Sequence, residues 1–127
     1  MTVPHPIPDE LAELIARRFH VLSDPLRVRL LDQLRDDELS VNELAERLAA
    51  GQQNVSKHLA LLADAGMVAR RKDGTRVYYR IADPAIFDLC EQVCGSLQAQ
   101  LATLAALVGA STESANPPDQ YKSEGER

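Results

Sequence analysis

Residues 40–80 constrain this chain more than any other stretch, because two short helical patterns joined by a tight turn run straight into a hairpin pattern. Ser40 precedes apolar positions Val41, Leu44, Ala45 and Leu48 and has Glu43 three residues on, the capping-box spacing that starts a helix. Ala50-Gly51 makes a turn, and Gln52 to Ala65 forms a second helix closed by Gly66. Val55, Leu59 and Leu62 face inward on it, with Leu61 expected beside them. Met67 to Lys72 and Thr75 to Ile81 alternate apolar and polar residues around Asp73-Gly74, a strong short-range hairpin signal. The order helix, turn, helix, hairpin predicts a mainly α fold with a small β-hairpin: a winged helix-turn-helix in which the hairpin is the wing.

The flanks complete the domain. Leu11, Leu14, Ile15, Phe19 and Leu22 recur at helical spacing, and Ser23-Asp24-Pro25 ends that helix and caps another carrying Leu26, Leu30, Leu31 and Leu34. Asp83-Pro84 opens a long last helix reaching roughly Val108. The expected organisation is a flexible amino end at 1–8, a single domain at 9–109 and a disordered tail at 110–127, where Ser, Pro, Glu and Asn replace apolar residues. At 127 residues one modest core is expected, aliphatic because Trp is absent and only five other aromatics occur. No signal peptide or membrane-spanning run is evident, so a cytoplasmic location and no membrane partner are the expectation.

Charge separates the functional segment from the rest. Residues 47–80 hold seven Lys/Arg against two acids, a local +5 in a chain of net −5, so the remainder sums to −10. An acidic chain is not a nonspecific nucleic-acid coat, but a basic face confined to one supersecondary unit suits double-stranded DNA. The second helix of the pair begins Gln52-Gln53-Asn54 and continues Ser56-Lys57-His58, side chains that bond base edges and phosphates from a helix seated in the major groove. His58 follows Asn54 by four positions and is expected to add a phosphate contact. Arg70, Arg71, Lys72, Thr75 and Arg76 surround the tip of the wing, where an arginine can enter the minor groove. No paired catalytic carboxylates, activated nucleophile or phosphate-cradling loop points to an enzyme.

Three motifs carry a family resemblance. Residues 23–31 (SDPLRVRLL), 55–68 (VSKHLALLADAGMV) and 71–79 (RKDGTRVYY) resemble the ArsR/SmtB family of bacterial repressors, and the likeness extends over roughly residues 10–108. It implies a homodimer whose first and last helices pack across the two-fold axis. It also implies a pseudo-palindromic operator that is released when an inducer binds. Family members often bind a metal through Cys-x-Cys at the start of the helix before the reading helix; here Ser40 and Asn42 occupy those places. A second family site uses Asp and His on paired last helices, and the last helix of this chain has no His.

Cys90 and Cys94 remain, at i and i+4 on one face of the last helix. Two cysteines suit a reducing compartment rather than a disulfide scaffold. Three uses stay open for them: a thiophilic metal or metalloid ion such as Zn(II), Cd(II), Cu(I) or As(III), a thiol redox switch, or plain packing, since Cys90 lies on the apolar stripe Ile86, Val93, Leu97, Leu101, Leu104, Val108. His5 and His20 are at most supplementary at a dimer interface. The alternatives to an inducible repressor are an inducer-independent autoregulatory repressor with structural cysteines, and a winged helix used for protein interaction.

Overall fold

A computed structural model describes residues 2–112; the expected disordered tail lies, beyond its first three residues, outside the described residues. The elements are α1 (Asp9–Val21), α2 (Pro25–Gln33), β1 (Leu39–Ser40), α3 (Val41–Leu48), α4 (Gln52–Asp64), β2 (Val68–Asp73), β3 (Arg76–Ile81) and α5 (Ala85–Thr112). Residues 1–86 and 87–127 form two separate units, so the first carries α1 through the wing and the second carries nearly all of α5.

Side-chain caps account for the starts of α2, α3 and α5. Asp24 caps α2 by accepting from the backbone N–H groups of Leu26 and Arg27, with Pro25 in the first turn. At α3 the capping box is complete: Ser40 Oγ accepts from the Glu43 N–H at 3.1 Å, and a Glu43 carboxylate oxygen accepts from the Ser40 N–H at 2.8 Å. Asp83 accepts from the Ala85 N–H where α5 begins.

These bonds leave a pH signature. The Ser40 backbone N–H, then its hydroxyl, hold the Glu43 carboxyl below its usual 4.5. At Asp24 partial burial pulls upward but is outweighed by the Leu26 and Arg27 amides, with His58 and Arg27 adding their fields, and the pKa falls below 3.8. A carboxyl whose folded pKa is depressed stabilises the fold above its unfolded pKa and loses that contribution as pH falls through the folded value. Thermal melts of the wild type and Glu43→Gln should therefore differ most above the unfolded carboxyl pKa and converge as pH falls through the lowered folded value of Glu43.

The core is built by α2, α3, α4 and the base of the wing. Leu30, Leu31, Leu34, Leu44, Leu48, Val55, Leu59, Leu62, Met67, Val68 and Tyr79 are buried. Each aliphatic side chain removed from water contributes roughly 1.5–3 kcal/mol. Leu61, expected near the inward face, is instead 42% exposed, because α4 turns it toward α1 at the rim of a shallow groove with Leu14 and Val21. No residue of α1 is fully buried, and Leu14 and Phe19 stand exposed on it.

Three details of the chain path differ from the expectation. The hairpin has a third strand: β1 pairs antiparallel with β3, Leu39 opposite Tyr79 and Ser40 opposite Tyr78, giving the order β1-β3-β2. Two residues carry too little periodicity to announce a strand, and this one is made by its partner. Second, Asp73 ends β2 opposite Arg76, so the two-residue loop is Gly74-Thr75, with positive φ at Gly74 and not at Thr75, as in a type II′ turn. Third, the turn between α3 and α4 places its left-handed residue at Ala49 (φ 52°), while Gly51 has an ordinary φ of −69° as N-cap of α4. An L-residue in that region costs on the order of 1 kcal/mol, which glycine avoids. Ala49→Gly should raise the melting temperature by a few degrees in a thermal melt.

The second unit is the helix α5, which continues to Thr112, past the Val108 at which the apolar spacing ends. Val93, Leu97, Leu101, Leu104, Leu107 and Val108 are exposed along it. Among the described residues no helix is long and apolar enough to cross a membrane.

Candidate nucleic-acid interface

The expected reading residues fall at one edge of the first unit, where the starts of α3 and α4 meet the wing. Gln52, Gln53, Asn54, Ser56 and Lys57 are all exposed on the first half of α4. A cleft of about 320 Å³ lies between that helix and the wing, lined by Ser40 and Asn42 of the α3 start, Gln52, Gln53 and Ser56 of α4, and Thr75 and Arg76 of the wing. The structure thus brings Gln52, Gln53, Ser56, Thr75 and Arg76 together. Asn54 and Lys57 share the helix but do not line the cleft.

Gly51 offers no side chain to cap α4, so the amide N–H groups of its first turn have no side-chain acceptor. With the helix dipole they favour an anion there. The uncapped end and the polar first turn are chemically consistent with a helix that meets phosphate and base edges.

The wing divides its cations by strand register. Arg70 opposite Tyr79 and Lys72 opposite Val77 share one face; Arg71 opposite Tyr78 and Arg76 opposite Asp73 share the other. Arg71 is not free. Its guanidinium makes a two-pronged ion pair with Glu38 at 2.8 and 3.0 Å and lies 4.8 Å over the Tyr78 ring. The bond from Arg71 holds the Glu38 carboxyl below its usual 4.5, and Glu38 in turn raises Arg71. The pair is half exposed, so its effect is to orient the wing rather than to add much stability.

His58 is placed differently from the expectation of an open phosphate contact. It is half-buried, and its Nδ1 lies 2.9 Å from a terminal nitrogen of Arg27 on α2. Motif reading did not single out Arg27 or Glu38, the partners of His58 and Arg71. A signal for Arg27 was available: with Leu30, Leu31 and Leu34 it completes the buried stripe of α2, where the spacing asks for an apolar residue. Glu38 had none, because its partner is 33 residues away across a strand pairing.

Cys90 is half-buried and Cys94 exposed, both as free thiols. Two thiols are half of a tetrahedral ligand set. Among the described residues no three His, Cys, Asp or Glu side chains gather to complete one.

A uncapped polar helix following a helix-turn, flanked by a basic β-wing, defines a winged helix-turn-helix domain. Residues 22–71 match a helix-turn-helix domain family. The chain is 42% identical over 86 residues to the HTH-type transcriptional regulator KmtR of Mycobacterium tuberculosis, spanning 68% of this chain and 66% of KmtR. The crystal structure of M. tuberculosis Rv0081 superposes with a TM-score of 0.69 at 33% identity, covering 77% of this chain and 99% of that one. The solution structure of the homodimeric winged helix-turn-helix DNA-binding domain Mb0332 of Mycobacterium bovis, described as a possible ArsR-family regulator, gives 0.64 at 28% identity, with 77% and 91% covered. This chain belongs to the ArsR/SmtB family of winged helix-turn-helix transcriptional regulators, a family of DNA-binding proteins rather than enzymes. It spans just under two thirds of the length of several curated relatives.

Proposed function

We propose that the protein is a sequence-specific transcriptional repressor that binds a pseudo-palindromic DNA operator as a homodimer, in the cytoplasm. The observation that carries this reading is the cleft where Gln52, Gln53 and Ser56 of an uncapped helix face Thr75 and Arg76 of the wing. In the major groove, Gln52, Gln53 and Asn54 contact base edges, with Gln and Asn suited to adenine. Ser56 and Lys57 hold phosphate, while Arg70, Lys72 and Arg76 follow the adjacent backbone or minor groove. Arg71, tied to Glu38, reaches DNA only by leaving that partner.

Dimerisation is supported by the apolar side chains left uncovered on α1 (Leu14, Phe19) and on α5 (Val93 to Val108). Two reading helices held about 34 Å apart would meet successive major grooves of a two-fold-related site. Release by an inducer belongs to α5 in this reading. Cys90 and Cys94 are the thiols through which a thiophilic ion or an oxidant would act, and an ion held there needs further ligands from a second chain.

Binding to duplex DNA measured over a salt series tests the reading. Each phosphate contact adds about 0.9 to the slope of log K against log salt. Lys57→Gln and Arg76→Gln should each lower that slope by about one contact and weaken binding to all sequences. A flat salt response in the wild type would instead mark a protein-interaction module.

A further inference from the structure

Arg27 is a buried cation, 7% exposed, whose guanidinium bonds go to two backbone carbonyls and an imidazole. Its Nε donates to the carbonyl of Val21 at 2.6 Å, and one terminal nitrogen donates to the carbonyl of His20 at 3.4 Å. Both carbonyls belong to the last turn of α1, where the helix dipole favours a positive charge. The other terminal nitrogen meets Nδ1 of His58 at 2.9 Å, on α4 and four residues after Asn54.

This third bond has a direction. A guanidinium only donates, so His58 must present a lone pair at Nδ1 and carry its proton on Nε2. The imidazole is thereby held by its inner nitrogen rather than left free to swing toward a phosphate. One rigid, planar side chain on α2 therefore fastens the end of α1 to the middle of the reading helix, and planarity transmits orientation where a lysine would give only charge.

We propose that Arg27 and His58 are a positioning pair: they set the rotation and depth of α4 against α1, and so govern base reading without touching DNA. The proposal rests on the DNA-binding reading above. It replaces the expected phosphate contact of His58 by a role exerted through Arg27.

The test compares His58→Asn, whose side-chain oxygen can take the place of Nδ1, with His58→Leu, which leaves Arg27 without that acceptor. Both are titrated over a salt series against a duplex selected by the wild type from a randomised pool, and against a random duplex. A positioning role predicts that His58→Leu loses about 10- to 100-fold on the selected duplex, with its random-duplex affinity and salt slope unchanged. His58→Asn should keep most of the selected affinity. Parallel loss on both duplexes, with the slope lowered by about 0.9, would show a phosphate contact and overturn the pair. So would equal behaviour of the Asn and Leu variants. If thermal melts show His58→Leu unfolded, Arg27→Lys takes its place and must show the same selective loss. A wild type that binds no duplex fails the underlying reading instead, and is recognised before any variant is made.

Discussion

Replacing Leu97 and Leu101 together by glutamate is expected to convert a dimer into a monomer and to cut operator affinity by at least about 100-fold. The two leucines are 53% and 63% exposed and belong to a line of apolar side chains running from Val93 to Val108. A helix carrying such a line in water meets a steady hydrophobic cost unless something covers it. Burying one leucine contributes roughly 2 kcal/mol, and a two-fold interface counts each position twice. Removing two leucines per chain thus withdraws on the order of 8 kcal/mol before the cost of burying carboxylates is added. That shifts a dissociation constant by roughly five to six orders of magnitude. Sedimentation at micromolar protein reads the change directly. A monomer engages one half-site at a time and loses the advantage of two tethered contacts. A variant that still sediments as a dimer would place the interface elsewhere.

The second large effect is on the fold. Leu59→Ala should cost about 3 kcal/mol of unfolding free energy, within the usual range for emptying a fully buried leucine site. Leu59 is 0% exposed on α4, the helix that also carries the reading residues. Its near neighbour Leu61 is the internal control. Half open to water, it should cost under about 1 kcal/mol when cut to alanine. Urea unfolding of the two variants side by side checks both numbers. Similar losses would mean that α4 is rotated relative to the packing described above.

Much of this architecture could be read from the residues, for reasons visible in particular places. The α3 start was legible because a capping box is a local device: Ser40 and Glu43 need only each other. The hairpin was legible because alternation and a glycine at positive φ are local as well. Strand β1 was not, since Leu39-Ser40 becomes a strand only by pairing with the distant Tyr79 and Tyr78 of β3. Placing Leu61 inward failed because it lines an open groove with Leu14 and Val21 of α1, a matter of helix placement rather than periodicity.

The site divides along the same line. Residue type marked Gln52, Gln53, Asn54, Ser56 and Lys57 as reading residues, and the fold exposes them together. Residue type also marked Arg71 and His58, and both are engaged by partners that no local pattern connects to them, Glu38 and Arg27. A cation or imidazole in a basic unit advertises a contact, but tertiary structure decides whether that contact is with DNA or with the protein itself.

Ser40 carries a consequence for protein engineering. The same residue pairs through its backbone with Tyr78 of the wing and through its side chain caps α3, while Glu38, two residues earlier, grips Arg71. The wing is therefore stitched to the helix-turn-helix at a seam that begins at residue 38, well before the hairpin itself. Wing exchanges between relatives that cut only at 67 and 82 would separate the two halves of that seam. Chimeras that carry residues 38–82 as a single cassette would keep it whole.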